Sequence, residues 1–339
     1  MRLLTQDPMK RVKWLLVGAG DIARKRVAAA LTQAKNSKLV AICSRTERHA
    51  RSLAHEYGVT EISSDFTEAL SATSAEAVYL ATPPWLHVPQ AVQALEAGKH
   101  VLIEKPLGLS AVECSRVVAA AQINQMFAAC AYYRRFYSRY AYTQTALQKC
   151  ELGPIVSVHM TYSAPFNPAS DDPRAWRIFT AQGGGGPLYD MGCHMFDVMI
   201  GLLGLPKSVY AKCANVVHKW EVEDSAVVVM GLKDGAIAES RFNWNSKIWR
   251  HDFEIVGTEA RIEWSPYDSG PVLRTVGRQT QQIDLPSAKN VHLPLVEDFV
   301  ESILTSCSPL TAVTEAIKTN VLLDAIYSSA RTGIEVQVR

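Results

Sequence analysis

The stretch that decides the fold is RVKWLLVGAGDIARKRVAAAL, at residues 11–31. Its apolar run at 14–17 is typical of a buried strand, and the run after residue 23 is typical of a helix. Between them lies the pattern G-x-G-x-x-A, which lets the main chain turn tightly and approach a pyrophosphate, while the free N–H groups at the helix start favour phosphate. The residues predicted to bind a dinucleotide here are Gly18, Gly20, Asp21, Ile22 and Ala23.

The end of the next predicted strand, at 39–43, indicates which dinucleotide is preferred. NAD-selective sites usually place Asp or Glu at this point to hold the ribose hydroxyls, but the sequence continues SRTER at 44–48. Ser44 can donate to a phosphate, and Arg45 or Arg48 can pair with its charge. NADP(H) is therefore favoured, with NAD(H) as the alternative cofactor. The competing interpretation is that these arginines only solvate the following helix.

Apolar runs continue to alternate between strand and helix periodicity as far as residue 130. This rhythm is typical of a doubly wound parallel sheet. Ser110 is predicted to cap one of the helices, with Glu113 completing a capping box. The predicted elements are strands at 76–81, 100–103 and 127–131, and helices at 88–97 and 110–126.

The pattern changes near residue 152. Period-two runs such as IVSVHMTY and SAVVVMGL predict a mostly antiparallel sheet, and two helices are predicted near 291–305 and 311–330. The predicted fold class is therefore α/β, with a doubly wound parallel sheet followed by a second, largely antiparallel sheet. The predicted domains are 10–132 and 133–339, which agrees with the two-domain expectation for 339 residues.

Composition excludes several classes of function. A net charge of +2 argues against a nucleic-acid partner, and no apolar stretch reaches the ~18 residues that span a bilayer. The first 14 residues lack the apolar core of a secretory signal. The seven cysteines are odd in number and form no C-x-x-C, which argues against disulfides or a metal site. A cytoplasmic location is the expectation.

A second motif, GGGGPLYDMGCHMFDVMIGLLG at 183–204, predicts a helix of unusual composition. Pro187 suits its first turn, and Asp190, His194 and Asp197 fall on one stripe at helical spacing. The rest of the circumference is apolar, so the helix is expected to be buried. Buried carboxylates and imidazoles need partners. The stripe is therefore either a structural polar network or a site that handles protons.

These motifs resemble the Gfo/Idh/MocA oxidoreductases. The matching segments follow the family order and are GAGDIA at 18–23, ATPPWLH at 81–87, EKPL at 104–107, YYRRF at 132–136, AWR at 175–177 and GGGGPLYDMGCHMFD at 183–197. The resemblance implies a Rossmann domain followed by an α/β domain with a large open sheet. In this family that sheet often forms the oligomer interface, so a homodimer or homotetramer is expected.

The resemblance also implies roles for individual residues. Lys105 is expected to bond the substrate oxygen and to contact the cofactor, and His194 to act as general acid/base. Asp190 would bond a substrate hydroxyl or orient the imidazole, while Asp197 could be structural. Further cofactor contacts are expected from Thr82, Pro83, His87, Glu104 and Arg177, and a further substrate contact from Tyr133. Residues 178–182, IFTAQ, depart from the common family form, which leaves the polarity of the substrate pocket open.

The predicted activity is NAD(P)-dependent hydride transfer on a sugar, cyclitol or related polyhydroxylated molecule. One alternative is a non-catalytic protein that senses a dinucleotide and regulates a partner. Such a protein would not need Lys105, Asp190 and His194 together. The other alternative is a lyase or glycoside-cleaving enzyme that uses a bound cofactor transiently, for which the same groups would suffice.

Overall fold

The computed structural model describes residues 11–339. Residues 1–10, which include the start of the predicted first domain and most of the segment considered as a possible signal, lie outside the described residues. The described chain forms two compact units. The first contains residues 11–107, 115–133 and 288–315, and the second contains residues 108–114, 134–287 and 316–339.

The first unit is built on a six-stranded parallel sheet with the strand order β3-β2-β1-β4-β5-β6. The order reverses beside β1, as in doubly wound nucleotide-binding folds. The strands are β1 Val12–Val17, β2 Ser37–Cys43, β3 Glu61–Ser63, β4 Ala77–Leu80, β5 His100–Ile103 and β6 Ala128–Cys130. Its helical segments are Ala23–Val27 (a π turn), Ala28–Gln33, Glu47–Tyr57, Phe66–Ala72, Pro84–Leu86 (a 3₁₀ turn), His87–Glu96 and Leu293–Thr305.

The core of the first unit forms where the central strands meet the helix Leu293–Thr305. Trp14 on β1 is fully buried, and its ring lies 5.7 Å from that of Phe299 and 6.5 Å from that of Tyr79. Because β1 is buried on both faces, it is apolar almost throughout, as central parallel strands are. The helix thus completes a core begun by the N-terminal strands.

The second unit carries a nine-stranded sheet with the order β14-β13-β12-β11-β7-β10-β9-β8-β15. All neighbouring pairs are antiparallel except β7 with β10. The predicted fold class is therefore confirmed. The strands are β7 Ile155–Ser163, β8 Ser208–Ala214, β9 Ser225–Gly231, β10 Ile237–Asn243, β11 Arg250–Gly257, β12 Ala260–Trp264, β13 Val272–Val276, β14 Gln279–Ile283 and β15 Val336–Gln337.

The second motif folds as two consecutive helical segments: a π turn over Leu188–Gly192, followed by the α-helix Cys193–Leu203. We call them together the signature helix. Phe196 packs edge-on against Phe242 of β10, with ring centroids 5.5 Å apart, so the helix is buried against the sheet as expected. Other helical segments in this unit are Ser138–Gln148, Ala175–Ile178, Thr180–Gly183 and Lys233–Gly235.

Three helical segments have residues in both units: Ala111–Ile123, Val313–Thr332 and the 3₁₀ turn Tyr133–Phe136. The first ends three residues before the predicted position 126. Ser110 caps it by accepting the Glu113 N–H at 3.2 Å, whereas the Glu113 carboxylate accepts the N–H of Leu109, one residue before the position of a standard capping box. Across residues 11–339, none of the helices has the length and apolar character needed to cross a bilayer.

Candidate active site

The glycine turn after β1 has the geometry of a phosphate cradle. Gly18 adopts φ +95°, and a Cβ there would lie 2.6 Å from the carbonyl oxygen of Ala81, so only glycine fits. A Cβ on Gly20 would meet nothing within 4 Å, which means that this position faces open space. Ala23 is fully buried, as close helix packing requires. The turn therefore fits the pyrophosphate of a dinucleotide.

Two arginines lie exposed just after β2. Arg45 and Arg48 flank Glu47, whose carboxylate is engaged by Arg51 one turn along the same helix. In the glycine turn, the Asp21 carboxylate is similarly engaged by Lys25 at 2.9 Å. These local ion pairs neutralise Glu47 and Asp21, whereas Asp65 and Glu68 also act on the end of β2, where they raise the pKa of Cys43 after burial does. The strand end therefore carries the exposed arginines Arg45 and Arg48 together with two further acids.

His87 links the loops that follow β4 and β5. Its ring is fully buried, with Nδ1 2.7 Å from the carbonyl oxygen of Pro106 and Nε2 2.7 Å from that of Thr82. Burial lowers the pKa of this imidazole, although both carbonyls oppose that shift. A neutral imidazole donates through one nitrogen only, so one of the two carbonyl contacts is a hydrogen bond and the other is a close contact, and the buried ring lies between the two loops. The Lys105–Pro106 peptide in the second loop is cis.

Glu104 is the centre of a buried polar network at the end of β5. It accepts hydrogen bonds from the Tyr79 hydroxyl at 2.8 Å and from the main-chain N–H of Lys105 at 3.2 Å, and the His292 imidazole lies 3.1 Å away. Burial alone would raise the pKa of Glu104. The contact with His292, together with those of Tyr79 and Lys105, outweighs this effect and lowers the pKa below its usual value. Glu104 therefore acts as a buried, ionised anchor for the main chain at Lys105.

Tyr133 belongs to the same network in the first unit. Its ring lies 4.7 Å from that of His292, and Arg26 donates to its hydroxyl at 3.4 Å. Tyr133 is only 7% exposed. The Tyr133 side chain is therefore held mainly by contacts with His292 and Arg26 and has little exposure to solvent.

The first unit brings its predicted residues to one edge. The glycine turn follows β1, Ser44 follows β2, the Thr82–Pro83 segment follows β4, and Lys105 follows β5. Carboxyl ends of parallel strands share one edge of a sheet, and ligands of such sheets bind there.

Asp190 and His194 share one side of the signature helix in the second unit. The Arg177 guanidinium contacts the Asp190 carboxylate at 2.9 Å and lies 5.4 Å from the centroid of the Trp176 ring. His194 is 3% exposed, and its main-chain oxygen accepts from the Tyr267 hydroxyl at 3.3 Å. The helix thus holds a buried imidazole one turn from a partly exposed ion pair, a combination suited to proton transfer.

Asp197 belongs to a structural ion pair. Both of its carboxylate oxygens accept hydrogen bonds from Arg135 at 2.8 Å, and both side chains are buried. A Cβ on Gly201 would overlap this guanidinium, so the glycine makes room for it. Of the two interpretations of the stripe, a polar network describes Asp197.

Sequence reasoning missed three polar residues that adjoin the candidate site. His292 contacts Glu104 from a segment nearly two hundred residues away, and no local pattern marks it. Glu223 accepts main-chain N–H groups at the start of the signature helix. Burial, followed by the charge of Asp190, raises the pKa of Tyr162 on β7 to about 12. Only the alternating pattern around Tyr162 offered a signal, because it predicted a half-buried strand.

The parallel sheet and its glycine turn define the first unit as a dinucleotide-binding Rossmann domain. Residues 12–132 match the oxidoreductase family with an NAD-binding Rossmann fold, and residues 140–263 match the GFO/IDH/MocA C-terminal domain. The chain therefore belongs to the Gfo/Idh/MocA family of oxidoreductases.

Individual relatives are similar over nearly the whole chain. D-xylose 1-dehydrogenase (NADP(+)) 2 of Haloferax volcanii is 28% identical, with 95% of this chain and 98% of the relative covered. D-glucoside 3-dehydrogenase of Escherichia coli is 26% identical, with 99% of each chain covered. Levoglucosan dehydrogenase, solved with NADH and L-sorbose, has the same fold with a TM-score of 0.89 at 21% identity, covering 98% of this chain and 100% of that one.

Proposed function

We propose that this enzyme transfers hydride between a nicotinamide dinucleotide and a CH–OH or carbonyl carbon of a sugar, cyclitol or related polyhydroxylated molecule. The observation that carries the proposal is the signature helix, where the buried His194 lies one turn from the Asp190–Arg177 pair. The relatives support the substrate class, because those described above are named as dehydrogenases of a sugar or a glucoside.

The dinucleotide would be held by the glycine turn and by the loops after β4 and β5. Gly18 and Gly20 give its pyrophosphate access to the main chain, with Asp21, Ile22 and Ala23 opening the helix. Ser44, Arg45 and Arg48 would bind the 2′-phosphate of NADP(H), which we favour over NAD(H). One relative is named for NADP(+), whereas the levoglucosan dehydrogenase was solved with NADH. When bound, the nicotinamide supplies the hydride acceptor or donor.

The chain's own residues handle the proton and the charge. In the oxidative direction His194 accepts the proton of the substrate hydroxyl as hydride leaves the same carbon, and in reduction it returns that proton to the carbonyl oxygen. Lys105 stabilises the charge that develops on this oxygen. Asp190 bonds a neighbouring hydroxyl, with its orientation fixed by Arg177.

Other predicted contacts divide into direct and indirect roles. We propose that Thr82 and Pro83 contact the cofactor through their main chain, and that Tyr133 borders the substrate. We propose that Arg177, which pairs with Asp190, also contacts the cofactor. His87 and Glu104 act indirectly, because their polar atoms already contact the loops around Thr82 and Lys105.

We further propose a cytoplasmic homodimer or homotetramer. None of the seven cysteines, all of which lie within residues 11–339, forms a disulfide, which suits a reducing compartment. Neighbouring strands of the nine-stranded sheet expose Tyr210, Val227, Val229 and Ile237, interleaved with Lys212, Glu239 and Arg241. We propose that a second copy covers these apolar side chains. Light scattering on the eluting protein measures this mass directly, and a monomer at micromolar concentration would contradict the assembly.

The test of the activity is turnover of a panel of sugars and polyols, followed by nicotinamide absorbance with each dinucleotide. Lys105→Ala and His194→Ala are each expected to lower kcat by ~10²-fold or more, because each removes a group that acts in the transition state. Lys38→Ala and His55→Ala, at exposed positions in the first unit, are matched controls. Unchanged turnover in both site variants would refute this mechanism, and binding of neither dinucleotide would refute the function.

A further inference from the structure

We propose that Glu223 is a positioning residue for the reaction, because its carboxylate fixes the start of the helix that carries Asp190 and His194. One carboxylate oxygen accepts the N–H of Gly186 at 2.9 Å, and the other accepts the N–H of Leu188 at 3.2 Å. These N–H groups belong to the opening of the helix, where main-chain donors have no partner within the helix itself. Glu223 supplies that partner from a distant segment.

The glycine run at 183–186 is shaped around this contact. A Cβ on Gly186 would overlap the main-chain oxygen of Glu223, and a Cβ on Gly185 would overlap the Tyr327 hydroxyl. Tyr327 in turn donates to the carboxylate, with its oxygen 3.0 Å from both carboxylate oxygens. The glycines therefore allow a buried acid and its partner to reach the helix start.

Glu223 is the group in this cluster whose charge changes near neutral pH. Burial raises its pKa to about 7, against the hydrogen bonds that it accepts. The titratable groups facing it from the packed elements are Tyr327 on helix Val313–Thr332, Cys213 on β8 and, beyond Tyr327, Tyr189. Burial is the largest cause that raises the pKa of each of these three groups, and it brings the pKa of Cys213 to about 12. All three groups therefore remain neutral in the pH range where Glu223 ionises.

The protonation state of Glu223 decides how firmly the helix start is held. The ionised carboxylate offers acceptor oxygens to Gly186, Leu188 and Tyr327 together. In the protonated form the carboxyl O–H can donate to the Tyr327 hydroxyl oxygen, 3.0 Å from both carboxyl oxygens, and the two main-chain N–H groups then donate to a neutral acceptor, which forms weaker hydrogen bonds than an ionised one. Below the pKa of Glu223 the first turn, which includes Asp190, is therefore held less firmly. A displacement of a general base by a fraction of an ångström lowers kcat more than it affects the binding of either ligand.

The first experiment measures amide hydrogen exchange of peptides spanning 184–194 in the protein without ligands, at pH 8. Glu223→Gln replaces one acceptor oxygen by a donor group and is expected to speed exchange there by ~10-fold, the effect of one lost hydrogen bond. Glu335→Gln, at an exposed position in the same unit, is the matched control. Exchange equal to that of wild type in both variants would overturn the proposal.

A milder variant keeps the proposal testable if Glu223→Gln folds poorly. Tyr327→Phe removes one donor to the carboxylate, so the ionisation of Glu223, followed by carboxyl-carbon NMR, is expected to shift to higher pH. The part of the pH profile of kcat that lies near neutral pH should shift to higher pH by the same amount, while KM for the dinucleotide stays constant. An unmoved ionisation would overturn the proposal.

The consequence for kcat rests on the proposed function, but the exchange and NMR measurements do not. If exchange responds as expected in a protein that turns over no polyol, the proposed function fails and the role of Glu223 at the helix start stands. If turnover is found and exchange does not respond, the function stands and the role of Glu223 fails.

Discussion

Asp190 and Asp197 lie on one stripe of the signature helix yet occupy different environments. Asp197 forms a bidentate, fully buried pair with Arg135, whereas the side chains of Asp190 and Arg177 retain 18% and 29% exposure. Removing one partner of a buried pair leaves an uncompensated charge, which costs several kcal/mol. A partly exposed pair contributes little to stability, so we expect the Asp190–Arg177 pair to matter less for folding than the Asp197–Arg135 pair.

We therefore expect Asp197→Asn to affect mainly the stability of the protein and Asp190→Asn to affect mainly its activity. Asp197→Asn should lower the free energy of unfolding by about 3–5 kcal/mol. Asp190→Asn should change stability by less than about 1 kcal/mol and lower kcat/KM by ~10-fold or more, as loss of a charged hydrogen bond does. Chemical denaturation and steady-state kinetics on both variants check this. A stability loss of equal size in the two would contradict the distinction.

The proposed preference for NADP(H) depends on the side chains of Arg45 and Arg48. Replacing Arg45 and Arg48 together by alanine should weaken NADPH binding by ~10–100-fold, the worth of one or two charge-assisted hydrogen bonds, and leave NADH binding unchanged. Arg116→Ala removes an exposed arginine on another helix of the same unit and serves as the control. Paired titrations by nicotinamide fluorescence measure both affinities. An equal loss for both dinucleotides, or no loss for either, would refute the phosphate site.

At the scale of elements, local patterns predicted where strands and helices form, but not which distant side chains pair with the polar residues on them. The 3.6-residue period places Asp190, His194 and Asp197 on one stripe, because it depends only on helix geometry. Their partners could not be predicted, since Arg177 lies 13 residues from Asp190 and Arg135 lies 62 residues from Asp197. The sequence predicted a helix at Leu188–Gly192 but not its π form, and it did not predict that the N–H of Leu188 donates to Glu223, which lies 35 residues away.

The glycine turn offers a prediction at this scale, in which two similar substitutions separate fold from ligand binding. Gly18→Ala forces a side chain into a left-handed conformation and against Ala81, so we expect a loss of stability of about 1–3 kcal/mol. Gly20→Ala meets no neighbour, so the protein should keep its stability but lose dinucleotide affinity. Thermal unfolding and cofactor titration distinguish them. Full affinity in Gly20→Ala would show that the pyrophosphate does not approach this position.

At the scale of the molecule, the parallel and antiparallel sheets were predicted from periodicity, but the membership of residues 288–315 in the first unit was not. Nothing in the local sequence of helix Leu293–Thr305 indicates that Phe299 packs on Trp14 or that the preceding His292 contacts Glu104. An amphipathic pattern shows that a helix has a buried face and carries no information about which sheet covers it.

Buried titratable groups give the stability of the whole protein a pH dependence whose sign can be worked out. The folded state raises the pKa of Glu223 from 4.5 to about 7, so the stability associated with its neutral form is present below pH 4.5 and lost as pH rises to about 7. The full loss is about 3 kcal/mol. His251 acts oppositely in the same range, because burial lowers its pKa from 6.5 to about 4 and stability is gained as pH rises between these values.

The prediction therefore concerns the difference between wild type and Glu223→Gln, in which the contribution of His251 cancels. The amide does not titrate, so only wild type loses stability as Glu223 ionises. The thermal midpoint of the variant minus that of wild type should therefore rise by several degrees between pH 4.5 and 7 and stay constant above that range. Calorimetry across this range measures it. A constant difference would mean that Glu223 ionises as readily in the folded protein as in the unfolded chain. The expected rise would mean that the carboxylate at the start of the signature helix is maintained at a cost to folding, as functional groups often are.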